Sequence, residues 1–143
     1  MKSHTGGTLT LGKGAIVSIC SGQKLNTRSS TEAELVGVDD CMCKVLWLRY
    51  FMEAQGYPPE DVVVYQDNKS AILLEENGRA SIGRRTRFIK LRYFFITDRI
   101  KANEVRVEYC PTKEMVSDFL TKPLQGQLFY KLHFLLMNCD PKE

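Results

Sequence analysis

Residues 61–74 read DVVVYQDNKSAILL, and this stretch decides the fold of the chain. The apolar run at 62–64 has no polar alternation, which is typical of a strand covered on both faces and therefore central in its sheet. The polarity changes abruptly at Gln66, and apolar residues resume at helical spacing from Ala71. Asp67 is therefore predicted to lie where a buried strand ends and a helix begins, a common position for a catalytic carboxylate in α/β sheets.

Asp67 also has a purely structural interpretation. Asp and Asn are favoured helix N-caps, so either Asp67 or Asn68 could do no more than cap the following helix. On this stretch alone, a capping role and a catalytic role for Asp67 are about equally favoured. Other parts of the chain are needed to distinguish the two roles.

The size and composition of the chain favour one domain covering residues 1–143, which is long enough to bury a core. The five cysteines include no C-x-x-C pair and the histidines lie far from them, which argues against a zinc site and a disulfide framework. No stretch approaches the ~18 apolar residues of a membrane span, and the N-terminus has no signal-peptide core. We therefore expect a soluble protein of a reducing compartment, cytoplasmic or nuclear and not secreted.

The net charge of +3 is unevenly distributed along the chain. Residues 79–106 carry nine Lys or Arg against two acids, a local balance of +7, so the other residues sum to −4. A basic segment beside an acidic body favours a polyanionic partner on one side of the molecule.

The basic segment is predicted to form a helix at residues 84–102. Arg85, Arg92 and Arg99 recur every seven residues and therefore share one face of that helix. Such a row is most often a solvated outer face. Contact with the phosphates of a nucleic acid is the alternative.

A β-hairpin is predicted at residues 6–20, followed by a long helix at 29–55 that ends before a glycine and two prolines. Apolar residues of this helix recur at steps of three and four, which places one set on a buried face: Val38, Cys41, Val45, Leu48 and Met52. Continuing that face backward by four residues reaches Glu34, an unexpected position for a surface glutamate.

Two capping arrangements compete at the start of the long helix. Thr31 and Glu34 form a capping box, in which the glutamate only reaches back to a backbone amide. Ser29 and Glu32 form the same box two residues earlier, and that box would leave Glu34 free. The sequence leaves both open.

The C-terminal part is predicted to contain a strand at 105–109, a helix at 113–122 and a docking helix at 124–138, and residues 75–83 are predicted to be a loop. Asp118 lies beside the apolar side of the 113–122 helix. An ordinary i,i+4 pair with Lys122 is the favoured interpretation, and a place in a functional site is the other.

Glu34, Asp67 and Asp118 each have a local context that could place them at one crevice. Clustered carboxylates repel one another, so such a site is stable at neutral pH only if a divalent cation neutralises it. Oxygen ligands without His or Cys favour Mg²⁺ or Mn²⁺. Because two such ions can activate a water and stabilise the leaving oxygen of a phosphodiester, the carboxylates and the basic flank together suggest a nuclease.

Five stretches of the chain resemble, in order and spacing, the ribonuclease H domain of copia-type LTR retrotransposon polyproteins. The resemblance covers about residues 4–137, and the combination of blocks is far more specific than any one of them. The stretches are SSTEAEL at 29–35, KVLWLR at 44–49, VYQDNKSAI at 64–72, RRTRFIKLRYFFITDRI at 84–100 and VEYCPTKEMVSDFLTKPL at 107–124.

The resemblance implies an α/β fold of ribonuclease H type, with a five-stranded mixed sheet and helices on both faces. It implies hydrolysis of the RNA strand of RNA·DNA hybrids with two magnesium ions, beside a reverse transcriptase domain in a parent polyprotein. The metal-binding residues of the family match Glu34, Asp67 and Asp118.

This chain departs from the family pattern in two places. The family has an earlier strand that ends in another aspartate and lies centrally beside the 62–67 strand, whereas no acidic residue precedes Glu32 here. The family motif K-H-I-D/N is replaced by RFIK at residues 87–90. Two functions are therefore expected: a ribonuclease H, or a non-catalytic module that binds nucleic acid or a protein through Arg85, Arg92 and Arg99.

Overall fold

The computed structural model describes residues 3–27, 29–77 and 87–139. The chain is mixed α/β, as predicted. Its elements are β1 (His4–Leu9), β2 (Val17–Gly22), α1 (Ser30–Ala54), β3 (Val63–Gln66), α2 (Lys69–Asn77), α3 (Arg87–Lys101), β4 (Arg106–Tyr109), α4 (Asp118–Thr121) and α5 (Gly126–Met137). Across the described ranges, no helix is both long enough and apolar enough to cross a lipid bilayer.

The strands form two separate two-stranded sheets within the described part of the chain. β1 and β2 pair antiparallel as the predicted hairpin, and β3 and β4 pair parallel with Val63 opposite Arg106. Within the described residues β3 has a strand neighbour on one edge only, so these strands alone do not form the expected single mixed sheet with the 62–67 strand at its centre. Its apolar residues are half-buried, and Tyr65 is 58% exposed.

The long helix α1 begins and ends where its capping residues predict. Ser29 is the N-cap, and its hydroxyl accepts a hydrogen bond from the backbone amide of Glu32 at 3.2 Å. Of the two competing capping boxes, the N-cap hydrogen bond of the Ser29–Glu32 box is therefore the one that forms. This leaves Glu34 free of a capping role. At the other end the helix stops at Ala54, and Gly56 adopts the left-handed φ of 84° that favours glycine.

The core lies where α1 packs against α2 and α3. Its fully buried residues are Leu35, Val38, Met42, Leu46, Ala71, Ile96 and Val105. Of the face predicted for α1, only Val38 belongs to this set; Cys41, Val45, Leu48 and Met52 are partly exposed. The predicted face is therefore rotated away from the true core, and part of it borders a cavity described below.

The helix α2 extends further than predicted. Glu75 was expected to open a loop, but it lies inside α2 and is 0% exposed, while the rest of that loop falls outside the described residues. The carbonyl oxygen of Glu75 accepts a hydrogen bond from the Thr97 hydroxyl at 2.8 Å, which joins α2 to α3. Burial, followed by the charge of Glu34, raises the pKa of the Glu75 carboxyl to about 8, so this side chain is neutral at pH 7.

The predicted helix at 113–122 is divided in two. A 3₁₀ turn covers Thr112–Glu114, Met115 follows in an extended conformation with ψ of 100°, and α4 begins only at Asp118. Met115 is buried, so its packing overrides the continuous helical pattern of the sequence. The C-terminal helix α5 then docks on the hairpin, where the Ala15 amide donates to the Leu136 carbonyl at 2.8 Å.

Two glycines let β1 lie directly against its neighbours. A methyl group at Gly7 would overlap the Cys41 sulfur of α1, and one at Gly6 would overlap the Thr121 methyl of α4. The hairpin therefore packs against both helices at backbone distance, which fixes the position of β1 beside the carboxylates described next.

The buried carboxyl of Glu75 predicts a specific dependence of stability on pH. Between the ordinary pKa of 4.5 and about 8, the folded protein binds a proton at Glu75 that the unfolded chain has released. The free energy of unfolding should therefore fall by about 1.4 kcal/mol per pH unit across this window through Glu75. Glu75→Gln removes this contribution, so the variant should gain stability relative to the unsubstituted protein as the pH rises from 4.5 to 8.

Urea unfolding at several pH values measures this difference. Glu60→Gln is the matched control, because Glu60 is exposed and is not among the charges that act on Glu75, so this variant should follow the unsubstituted protein. Parallel pH profiles for Glu75→Gln and the unsubstituted protein would contradict the assignment of a neutral buried carboxyl.

Candidate active site

The three carboxylates singled out in the sequence are brought together by one lysine. The Lys122 ammonium lies 2.7 Å from Asp118 Oδ2 and 3.9 Å from Asp67 Oδ2. The charges of Asp67, Asp118 and Lys122 all act on Glu34. Glu34, Asp67 and Asp118 therefore form one electrostatic group, which we call the carboxylate cluster.

Asp67 is positioned by the turn between β3 and α2. Asn68 is the residue that caps α2, because its Oδ1 accepts from the amides of Ser70 (3.0 Å) and Ala71 (3.2 Å). The Asp67 carboxylate is left free of capping and instead accepts a hydrogen bond from the Thr112 hydroxyl at 3.3 Å. The capping role that was the alternative for Asp67 is therefore filled by its neighbour, Asn68.

Asp118 is the first residue of α4 and is 7% exposed. Its short contact with Lys122 confirms the i,i+4 pair expected from the sequence. The same lysine also approaches Asp67. The Asp118–Lys122 ion pair is therefore part of the carboxylate cluster and not an alternative to it. The Lys122 side chain is 47% exposed, so solvent screens this ion pair on one side.

Glu34 reaches the cluster from the first turns of α1. Its side chain is accessible to solvent in the cavity, yet the surrounding protein removes enough water to raise its pKa. Desolvation is the largest cause of this rise, and the negative charge of Asp67 is the next. Lys122 acts in the opposite direction, as a cation near three carboxylates must.

A cavity of about 1660 Å³ opens beside the carboxylate cluster. The strands β1 and β3 border it along their whole length, whereas β4 does not border it and β2 contributes only Ile19. On α1 the lining includes Glu34, Val38, Cys41 and Val45, the face that the sequence predicted to be buried. Glu34 thus lies in line with this face, which borders the cavity as well as the core.

The donor atoms of the cluster are carboxylate oxygens, which is the ligand type that Mg²⁺ and Mn²⁺ take. Their chemistry fits such an ion. Their present arrangement is centred on Lys122, and among the described residues no three His, Cys, Asp or Glu side chains are placed to hold a metal ion together. A divalent cation would therefore have to displace the Lys122 ammonium from the carboxylates.

Two of the three arginines predicted to contact phosphates form ion pairs with acidic residues of the same chain. Arg92 pairs with Asp39 at 3.1 Å and with Asp40 at 3.2 Å. Arg99 pairs with Glu104 at 2.9 Å, and Arg85 lies outside the described residues. These ion pairs offset part of the positive charge, which favours the outer-face interpretation. Nucleic-acid contact by the row stays a prediction.

Two residues near the cluster were not found from the sequence. Thr112 precedes the predicted 113–122 helix, and its hydroxyl donates to Asp67. Glu75 was assigned to a loop, whereas it is buried and acts electrostatically with Glu34. A signal for Glu75 existed, because it follows the buried Ala71 by four residues and so shares its helical face.

Comparison with known proteins identifies relatives of the chain. It is 34% identical over 128 residues to the "Retrovirus-related Pol polyprotein from transposon TNT 1-94" of Nicotiana tabacum, which covers 90% of this chain and 10% of that polyprotein. It is 33% identical over 111 residues to the "Retrovirus-related Pol polyprotein from transposon RE2" of Arabidopsis thaliana, covering 75% of this chain and 7% of the relative. The "Transposon Ty1-JR2 Gag-Pol polyprotein" of Saccharomyces cerevisiae is 26% identical over 129 residues, again 90% of this chain and 7% of the relative.

The chain thus spans a tenth or less of the length of these polyproteins. No protein-family model matches it, and no solved structure matches it. The matches to the Nicotiana and Arabidopsis polyproteins extend over most of the chain. This chain is therefore homologous to a segment of the Pol polyproteins of copia-type retrotransposons.

Proposed function

We propose that this chain is a ribonuclease H-like domain of a retrotransposon Pol polyprotein, which hydrolyses the RNA strand of RNA·DNA hybrids. The observation that supports this most is that Lys122 approaches both Asp67 and Asp118 while the charges of all three act on Glu34. The three carboxylates lie on α1, in the turn after β3 and on α4, which are far apart in sequence. A group of acids assembled from three elements at a cavity is the kind of site that phosphodiester hydrolysis with Mg²⁺ or Mn²⁺ requires.

Each residue of the cluster has a distinct task in this proposal. Glu34, Asp67 and Asp118 would hold the divalent ions, which supply charge stabilisation and an activated water when bound. Thr112 orients the Asp67 carboxylate through its hydroxyl. In the absence of a divalent ion, Lys122 offsets the mutual repulsion of the carboxylates, which would otherwise destabilise the fold.

The same proposal includes the finer fold, a ribonuclease H-like mixed sheet whose central strand is missing from the chain. Two features support it. β1 and β3 belong to different sheets, and both border the cavity along edges that β2 and β4 leave unpaired among the described residues. A strand placed in that cavity would join the two sheets into one, since neighbouring strands lie about 4.8 Å apart.

The proposed partners are an RNA·DNA hybrid and the rest of a Pol polyprotein, including its reverse transcriptase domain. An exposed aromatic surface on α1 supports a protein contact. Trp47 and Phe51 stack with ring centroids 5.4 Å apart, and Trp47 is 63% exposed. Aromatic side chains of this kind are enriched where protein surfaces meet.

A second function is favoured by the position of Lys122. Because an ammonium group already occupies the centre of the carboxylates, the chain could be a module that binds a hybrid or a protein without cleaving it. In that case the cluster would serve stability alone. The two functions differ in whether a divalent ion replaces Lys122.

Cleavage of a labelled RNA·DNA hybrid in the presence of Mg²⁺ tests the proposal. The full chain should cut the RNA strand, and Asp67→Asn should lower the rate by at least about a hundredfold because it removes a charged ligand while keeping the shape. Asp98→Asn is the control, since Asp98 is an exposed residue of α3 away from the cluster. Hybrid binding without any cleavage by the unsubstituted chain would overturn the nuclease proposal and favour the binding module.

The exchange of Lys122 for a divalent ion can be tested without any nuclease assay. Lys122→Met keeps the aliphatic stem but leaves the carboxylates without a cation, so Mg²⁺ should raise the Tm of this variant more than it raises that of the unsubstituted protein. Lys113→Met is the control, because Lys113 is an exposed lysine of the 3₁₀ turn. An equal or smaller Mg²⁺ effect in Lys122→Met would show that the cluster does not bind the ion.

A further inference from the structure

The side chain of Gln66 holds the turn that carries Asp67. Gln66 is the last residue of β3 and is 3% exposed. Its Oε1 accepts hydrogen bonds from two consecutive backbone amides, those of Asp67 at 2.9 Å and Asn68 at 3.3 Å. Asn68 then caps α2, so the turn is anchored by one side-chain oxygen before Asp67 and by another after it.

The two backbone amides determine which way the Gln66 carboxamide faces. A carboxamide has an acceptor end and a donor end. In the observed orientation the oxygen faces the amides of Asp67 and Asn68. The flipped carboxamide would place its NH₂ group against two N–H donors, which loses both contacts.

We infer that Gln66 is a positioning residue for Asp67: its side-chain oxygen holds the backbone turn that aims the Asp67 carboxylate at the cluster. The role of Asp67 as a cation ligand rests on the proposed function. The hydrogen-bonding device itself does not, because it is defined by backbone amides that can be observed directly.

Amide hydrogen exchange measured by NMR tests the Gln66 step. Gln66→Met keeps the length of the side chain and removes its acceptor, so the amides of Asp67 and Asn68 should exchange about tenfold faster, which corresponds to one net hydrogen bond. The amides of Ser70 and Ala71 are the internal control, because the Asn68 side chain protects them and should continue to do so. Equal acceleration at all four amides, or at none, would overturn the inference.

A parallel Mg²⁺ titration separates this inference from the proposed function. If both hold, Gln66→Met should weaken Mg²⁺ binding about tenfold or more. If the unsubstituted protein binds no Mg²⁺, the proposed function fails, while the exchange data still decide whether Gln66 holds the turn.

Discussion

The mutual repulsion of three carboxylates is the constraint around which this structure is arranged. Glu34, Asp67 and Asp118 are close enough to act on one another's charge, and burial of the cluster makes that repulsion stronger than it would be in water. Lys122 offsets it by approaching both aspartates. Carboxyl groups whose pKa values are perturbed by burial and by neighbouring charges cluster at functional sites, and this is the physical basis of the proposed nuclease function.

The scaffold around the cluster combines a packed side and an open side. The packed side is the core between α1, α2 and α3, which fixes Glu34 and the buried Glu75 relative to each other. The open side is the cavity between β1 and β3, whose facing edges have no strand partner in the described part of the chain. The carboxylate cluster lies where the two sides meet, so its charges border both a rigid core and accessible space.

The sequence predicted the local features and missed those that depend on distant neighbours. Asp67 at the end of a strand followed from the abrupt change of polarity after residues 62–66, which is a local signal. The partner strands of β3 are not local, so the sequence did not show that β3 has a strand neighbour on one edge only in the described part of the chain. The exact face of α1 failed similarly, because apolar residues occur nearly all round this helix. The burial of Glu75 was hidden by its polar neighbours, although its spacing from Ala71 indicated it.

The pKa of Glu34 in the metal-free protein tests most directly whether the three carboxylates form one group. It can be followed by NMR titration of the side-chain carboxyl carbon in the unsubstituted chain and in Asp67→Asn. Because the charge of Asp67 contributes to the raised pKa of Glu34, the pKa should fall when that charge is removed. An identical Glu34 titration in both proteins would contradict the account, since it would mean that the two carboxylates do not share a site.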